Sequence, residues 1–313
     1  MHSDEAGRIA VLIPCYNEEV AIGAVVAAFR AALPGAAIHV FDNNSTDRTI
    51  AVAREAGAIV RRETRQGKGA VVRRMFADIE ADTYVLVDGD GTYDAASAPR
   101  LIAALVEERL DMVCARRVAQ GQEAYRAGHR FGNRVLTALV AWLFGRGLVD
   151  MLSGYRVFSR RFVKSFPALA HGFETETELT VHALSLSMPF AEVEAPYRGR
   201  PEGSASKLNT WRDGVRILLA IFILVKEERP LPFFVVQGVL LCLASLALGW
   251  PVVLTWLETG LVPRLPTAIL ATGLMLLGFL SFTCGLILDT VTHGRREMKR
   301  LAYLAHRAPG RCP

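Results

Sequence analysis

The chain has 313 residues, a formal net charge of +5 and a hydrophobic fraction of 51%. This length allows one full α/β domain plus a further segment, because a single hydrophobic core usually stops growing near this size. Basic residues gather in the stretches 54–74, 195–216 and 295–311, a pattern that favours anionic phosphates and lipid headgroups over a nucleic-acid track. The five cysteines have no paired or C-x-x-C spacing, so neither a disulfide framework nor a zinc site is predicted.

From Arg8 to about Ala115, short apolar runs alternate with helical stretches. The runs that predict strands are IAVLIP, AIHVFD, AIVRRE, TYVLVDGDG and DMVCAR. Repeated strand and helix units predict a mostly parallel sheet with helices on both faces. Ligands bind such sheets at the carboxyl ends of the strands. Polar motifs follow three of the predicted strands directly: PCYNE, DNNSTD and DGDGTYD.

Two of these strand ends carry side chains suited to a nucleotide. In PCYNE, Pro14 shapes the exit of the strand, Tyr16 offers an aromatic face for a base, and Glu18 stands at a helix start within reach of a ribose. Asp42 follows the second strand and is placed to accept hydrogen bonds from a nucleobase or ribose. Simple helix capping is the alternative role for Glu18.

Other residues are suited to a diphosphate and a metal ion. Asp88 and Asp90 lie one residue apart at a strand end, where two carboxylates can hold a divalent ion that bridges a diphosphate. A solvated turn is the alternative interpretation of a lone D-x-D. Lys68 lies between two glycines in a loop that can approach a diphosphate closely, and Arg116 can add charge in the same way.

The C-terminal part contains two uncharged apolar runs, 233–257 and 266–288, joined by the short segment ETGLVPRL. Each is long enough to cross a hydrocarbon core of roughly 30 Å, which predicts a transmembrane hairpin. Buried core helices are the alternative. Basic residues flank the pair on both sides, which places both flanks in the cytoplasm: Lys226, Arg229, Arg295, Arg296, Lys299 and Arg300. The N-terminus lacks the features of a secretory signal, so the first domain is expected in the cytosol.

Residues 131–145 and 208–225 are apolar but include polar or basic groups near their starts. Such helices are expected to lie in a membrane interface, with burial in a core as the alternative.

The motifs PCYNE, FDNNSTDRT, GKG, DGDG and DMLSGYR, in this order over about residues 9–160, resemble the family 2 glycosyltransferases. RPEGSASK, followed by an amphipathic helix and two membrane spans, is similar to the polyprenyl-phosphate branch of that family. The resemblance implies an α/β GT-A (Rossmann-like) catalytic domain with interfacial amphipathic helices and a C-terminal two-helix transmembrane hairpin. The expected divisions are 1–207 for the cytoplasmic catalytic domain, 208–230 for a juxtamembrane amphipathic helix, 231–290 for the transmembrane helices and 291–313 for a basic cytoplasmic tail.

The resemblance also implies roles for individual residues. It places Pro14, Tyr16, Glu18, Val40 and Asp42 around the nucleotide, and Asp88, Asp90 and Arg116 at the diphosphate and a Mg²⁺ or Mn²⁺ ion. Two positions depart from the family pattern. Thr92 stands where relatives often have a glutamine metal ligand, and Asn43 replaces the second of two paired aspartates.

On the acceptor side, cationic groups near a membrane would hold an anionic lipid headgroup. The resemblance assigns Arg200, Ser206 and Lys207 to the phosphate of the acceptor lipid, although general attraction to anionic lipids also accounts for them. A phosphate is already ionised near pH 7, so a strong base is not required. If a base or an orienting carboxylate acts, the resemblance favours Asp150, with Asp90 as the other catalytic aspartate. Glu176 and Glu178 are further candidates for this role, but a glutamate at a helix start often interacts only with the helix dipole.

The expected activity is inverting transfer of a sugar from a UDP- or GDP-sugar to a polyprenyl phosphate by a multi-pass membrane protein. The resemblance further implies a homo-oligomer, with a tetramer as the specific expectation, and no nucleic-acid partner is expected. Three alternatives stay open: a processive polysaccharide synthase, which would carry a Q-x-x-R-W motif absent from this sequence, a transferase for another lipid hydroxyl, and a non-catalytic membrane subunit that binds nucleotide sugars.

Overall fold

The computed structural model describes residues 8–119, 140, 149–167, 175–199, 222–223 and 226–309. The chain divides into two compact units, one formed by Met1–Ile217 with Met298–Pro313 and the other by Leu218–Glu297. Most of the two predicted interfacial helices, 131–145 and 208–225, lies outside the described residues.

The first unit contains an α/β sheet. Its strands are β1 (Ile9–Cys15), β2 (Ala37–Asp42), β3 (Ile59–Arg62), β4 (Thr83–Leu86), β5 (Met112–Ala119), β6 (Arg156–Ser159) and β7 (Phe190–Tyr197). Its helices are α1 (Ile22–Ala32), α2 (Thr49–Glu55), α3 (Lys68–Asp78), α4 (Ala98–Glu107), α5 (Arg160–Ser165) and α6 (Thr175–Ser185), with a 3-10 turn at Ala95–Ser97 before α4.

The strand order is β3-β2-β1-β4-β6-β5-β7. Every pairing is parallel except those that β6 makes with β4 and β5, so the predicted α/β sheet is confirmed and is mixed. Cys15 at the end of β1 is in register with Asp42 at the end of β2. The motifs that follow these strands therefore leave the same edge of the sheet.

The centre of the sheet is buried on both faces. Leu12 and Ile13 of β1 and Val85 of β4 are fully buried, which explains why these strands appear in the sequence as continuous apolar runs and not as alternating patterns. Phe29 of α1 and Leu101 of α4 pack into the same core. A rigid central sheet therefore carries the loops at its carboxyl edge.

The second unit contains α7 (Pro230–Thr259) and most of α8 (Leu265–Leu304), both long and apolar enough to cross a membrane by length and composition. The two helices approach closely at Gly238 and Gly278, where an added β-carbon would lie 2.9 Å from the Gly278 carbonyl oxygen and 2.5 Å from Cys242 Sγ, respectively. Ser245 also donates a 2.6 Å hydrogen bond to the Ala271 carbonyl. Small residues and interhelical hydrogen bonds are typical of packing between membrane helices.

The last turns of α8 belong to the first unit. There, the Tyr303 hydroxyl donates to Asp111 Oδ2 at 2.9 Å, and the Arg161 guanidinium binds both oxygens of the same carboxylate. Burial, followed by the charge of Asp111, raises the pKa of Tyr303 to about 12. The phenol therefore remains a hydrogen-bond donor over the physiological pH range.

His182 of α6 is a buried titratable group in this unit. Its Nε2 lies 3.0 Å from Ser165 Oγ, and the rings of Phe162 and Phe166 pack against the imidazole. Burial, and then the nearby charge of Lys299, lower the pKa of His182 to about 3. As the pH falls below about 6.5, the unfolded chain takes up a proton that the folded protein excludes, so stability falls.

We expect His182→Gln to remove this pH dependence. Between pH 7 and pH 5 the wild-type protein should lose about 2 kcal/mol through His182, and the variant should lose correspondingly less. Denaturant unfolding of the detergent-solubilised protein at both pH values measures the difference. His293→Gln, at an imidazole that is 66% exposed, is the control. An unchanged pH slope in His182→Gln would show that His182 is not the group responsible.

Candidate active site

Asp90 lies in the loop after β4 and is held by its neighbour Thr92. Asp90 is only 7% exposed, and its Oδ1 accepts from the Thr92 N–H at 3.1 Å and from the Thr92 hydroxyl at 2.6 Å. Gly91 makes the turn between them with a φ of 74°. Thr92, which occupies the position where relatives have a glutamine ligand, thus orients the Asp90 carboxylate in this protein.

Asp88 forms a buried ion cluster with Lys68 and Glu176. The Lys68 ammonium lies 2.5 Å from Asp88 Oδ1 and 2.5 Å from Glu176 Oε1. Burial by itself lowers the pKa of Lys68, but the charges of Asp88 and then Glu176 outweigh that effect and raise the pKa above its ordinary value. The lysine is therefore a permanent cation at the end of β4, and Glu176 belongs to the site.

The DMLSGYR segment covers the other side of Asp88. A β-carbon on Gly154 would lie 2.3 Å from Asp88 Oδ2, so this close approach requires glycine. The Gly154 N–H donates to the Tyr93 hydroxyl oxygen at 2.8 Å. Burial raises the pKa of Tyr93, which keeps the phenol neutral. The motifs DGDG and DMLSGYR, far apart in sequence, therefore meet at one carboxylate.

Asp150, the predicted base or orienting carboxylate, is buried in a two-pronged ion pair with Arg117. Its oxygens accept from Arg117 Nε and Nη2, both at 2.7 Å, and from the Arg117 N–H at 3.2 Å. The Arg117 guanidinium also lies over the Tyr197 ring, 5.4 Å from its centroid. This geometry fits an orienting role for Asp150 better than proton abstraction, because both carboxylate oxygens already accept hydrogen bonds from the Arg117 guanidinium.

Arg116, the predicted diphosphate residue, lies on β5 and has a carboxylate partner there. Its guanidinium pairs with Glu194 across the β5–β7 ladder. Because successive side chains of a strand point to opposite faces, Arg116 and Arg117 face opposite ways, and the structure pairs Arg117, not Arg116, with a predicted site carboxylate. Arg117 was not predicted, although the alternation of side chains along a strand indicated that Arg116 and Arg117 face opposite ways.

Asn43 organises the loop that carries Lys68. Its amide nitrogen donates to the carbonyls of Glu63 and Arg65, at 3.0 and 2.7 Å, and its amide oxygen accepts from the Gly67 N–H at 2.7 Å. An aspartate cannot donate to those two carbonyls. The asparagine at this position therefore has a structural cause: the amide positions the glycine that precedes Lys68.

The predicted nucleotide residues cluster only in part. Asp42 is fully buried at the end of β2, and both its oxygens accept from the Ser45 N–H. Tyr16 is 38% exposed beside this strand end, as a base-stacking residue requires. Val40 does not present its side chain at the surface, because it is fully buried in the core of the sheet.

Pro14 and Glu18 flank the same strand end. Pro14 is in register with Phe41 of β2, and both Pro14 and Glu18 are partly exposed. The Glu18 N–H donates to Thr49 Oγ1 at 2.8 Å, which ties the PCYNE loop to the start of α2. The predicted acceptor residues Arg200, Ser206 and Lys207 lie outside the described residues.

A divalent ion fits the Asp88 and Asp90 pair only together with a diphosphate. Over the described ranges, no group of three or more His, Cys, Asp or Glu side chains is arranged to hold a metal ion. Mg²⁺ in nucleotide sites is commonly bound by one or two carboxylates, the substrate phosphates and water. Two carboxylates at one strand end match that donor set.

Known proteins resemble this chain in sequence. The model of the glycosyl transferase family 2 matches residues 10–166. The glycosyltransferase AglJ of Haloferax volcanii is 31% identical, with 95% of this chain and 98% of the relative aligned. A dolichyl-phosphate hexose transferase of the same organism is 30% identical over 71% of this chain and 95% of its own length.

A solved structure has the same fold. The Mycobacterium tuberculosis glucosyl-3-phosphoglycerate synthase, in complex with Mn²⁺, UDP and glucosyl-3-phosphoglycerate, has a TM-score of 0.56 and 26% identity, over 69% of this chain and 80% of that chain. The resemblance drawn from PCYNE, DGDG and DMLSGYR is confirmed. The chain is a glycosyltransferase and belongs to the glycosyl transferase family 2.

Proposed function

We propose that this glycosyltransferase transfers a sugar, with inversion, from a UDP- or GDP-sugar to a polyprenyl phosphate in the membrane. The observation that carries the proposal is the cluster of Asp88, Asp90 and Lys68 at the carboxyl edge of the sheet, in a chain that also has a long apolar hairpin. The first feature is suited to an activated sugar diphosphate. The second is suited to an acceptor that does not leave the bilayer.

On the donor side, Asp88 and Asp90 would hold Mg²⁺ or Mn²⁺ together with the diphosphate, and the metal would stabilise the departing nucleotide. The solved relative that shares the fold was crystallised with Mn²⁺ and UDP. The protein itself supplies the orientation of these groups: Thr92 fixes Asp90, and Gly154 lets the DMLSGYR segment close over Asp88. Tyr16 and Asp42 lie where a nucleoside would bind.

On the acceptor side, a lipid phosphate is already a nucleophile near pH 7, so catalysis can rest on positioning and on stabilisation of the leaving group. The ion pair of Asp150 with Arg117 fits that requirement, because the guanidinium engages both carboxylate oxygens and holds them in a fixed orientation. We assign Arg200, Ser206 and Lys207 to the acceptor phosphate. A relative named as a dolichyl-phosphate hexose transferase, which aligns with 71% of this chain, supports this acceptor class.

The hairpin would anchor the enzyme in the cell membrane with both flanks, and thus the catalytic domain, on the cytoplasmic side, in agreement with the basic residues around it. A homo-oligomer, specifically a tetramer, stays part of the proposal.

We expect the purified protein to make a labelled lipid from undecaprenyl phosphate, Mg²⁺ or Mn²⁺, and one member of a panel of labelled UDP- and GDP-sugars. Asp88→Asn and Asp90→Asn should lower the rate about 100-fold or more, because the leaving diphosphate loses its metal. Asp289→Asn, in the apolar hairpin, is the matched control. Donor binding without labelled lipid from any sugar would contradict the proposal and favour a non-catalytic subunit.

Gly154→Ala tests the packing of DMLSGYR against Asp88. The new methyl group would displace the Asp88 carboxylate, so kcat/KM should fall about 10- to 100-fold, while the thermal unfolding temperature changes little because a movable side chain absorbs the clash. Gly35→Ala is the control, since nothing lies within 4 Å of its added β-carbon. Wild-type kcat/KM in Gly154→Ala would show that the position of Asp88 is not critical.

A further inference from the structure

The Lys68 ammonium contacts Asp88, one of the two carboxylates to which the proposed function assigns the metal ion. This ammonium lies between Asp88 Oδ1 and Glu176 Oε1, 2.5 Å from each. The three side chains are 14%, 29% and 7% exposed, in the order Lys68, Asp88, Glu176. They come from the start of α3, the loop after β4 and the start of α6, so the contact depends on the folded domain and not on local sequence.

Both oxygens of Asp88 have a close neighbour, although 29% of the side chain is exposed. Oδ1 accepts from Lys68, while Oδ2 lies close to Gly154, where an added β-carbon would come within 2.3 Å. A divalent ion that binds Asp88 through Oδ1 competes with the ammonium there, because two cations at one oxygen repel each other.

Lys68 has a second carboxylate to hold it when Asp88 is taken. Glu176 is almost fully buried, and its oxygen contacts the ammonium independently of Asp88. The flexible stem of a lysine lets the ammonium swing while one contact is kept. An arriving diphosphate offers anionic oxygens close to the same point, since it binds the ion that Asp88 holds.

We propose that Lys68 is a placeholder cation. Without the donor, the Lys68 ammonium holds Asp88. When the diphosphate and its divalent ion bind, the ammonium moves from Asp88 to the diphosphate and keeps its contact with Glu176. This inference rests on the proposed function for the identity of the donor. Glu176 is then a positioning residue, acting through Lys68.

The placeholder makes metal and nucleotide binding cooperative. A metal ion alone must displace the ammonium from Asp88 and leave it with Glu176 as its one carboxylate partner of the two, so the metal binds more weakly than when a diphosphate is present. A nucleotide diphosphate receives the ammonium and strengthens metal binding, and by linkage the metal strengthens nucleotide binding by the same factor. Lys68 also offsets part of the charge of Asp88 and Glu176.

The test is the affinity of the purified full-length protein for Mn²⁺ alone, measured by the electron paramagnetic resonance signal of free Mn²⁺. In Lys68→Gln we expect at least tenfold tighter binding than in the wild type. Lys68→Arg, which keeps the charge, is the matched control and should bind Mn²⁺ as weakly as the wild type. Addition of UDP or GDP should strengthen Mn²⁺ binding at least tenfold in the wild type and much less in Lys68→Gln.

Lys68→Gln also removes the ammonium that contacts Glu176. The Glu176 carboxylate could then bind Mn²⁺ itself or destabilise the fold. The double variant Lys68→Gln with Glu176→Gln removes both problems, since the buried charge and the extra ligand disappear together. Tight Mn²⁺ binding in the double variant supports the placeholder. Binding no tighter than in the wild type overturns it, whether or not the single variant binds tightly. This readout needs no lipid, so absence of a lipid product with the expected Mn²⁺ affinities would count only against the proposed acceptor.

Discussion

Carboxylates gathered at the end of a buried sheet must be neutralised, because an unpaired buried charge costs several kcal/mol. In this protein Lys68 supplies one positive charge that Asp88 and Glu176 share. Its position depends on much of the domain. The parallel strands deliver Asp88 to the sheet edge, and Asn43 sets the loop from which α3 presents Lys68. Helix α6 brings Glu176 from 108 residues further along the chain.

The other contacts of the site fix the orientation of its side chains and add no net negative charge at Asp88. Tyr93 stays neutral and holds Gly154, and the glycine admits the Asp88 carboxylate without a side chain in between. Arg117 and Asp150 form a separate, internally balanced pair. Such an arrangement suits a reaction in which the protein positions two anionic reactants and a metal carries the developing charge of the leaving group.

Much of the parallel part of the sheet was predictable, because β1, β2 and β4 are apolar runs followed at once by polar motifs. Strand β6 was missed because it has only four residues, RVFS, and its antiparallel partners, β4 and β5, are distant in sequence. The burial of Val40 and the different partners of Arg116 and Arg117 depend on which face of the sheet each residue occupies. The register of the strand fixes that face, and a motif does not.

The Lys68 cluster was only half predictable. A lysine between two glycines predicted an anion-binding loop, and the expected anion was a diphosphate. In the structure the Lys68 ammonium contacts the carboxylates of Asp88 and Glu176. Glu176 carried little signal, because a glutamate at a helix start commonly serves the helix dipole. Only the tertiary contact distinguishes the two roles.

The central claim is that the acceptor group is a phosphate at the membrane. The most direct measurement compares two acceptors of equal chain length, a polyprenyl phosphate and the matching polyprenol, with the same donor and metal. Product masses identify which lipid gains a sugar. Transfer to the phosphate alone is the predicted result, since the site offers fixed cations and Asp150 is held by Arg117. Equal or faster transfer to the polyprenol would contradict the account, because a hydroxyl acceptor requires a true base.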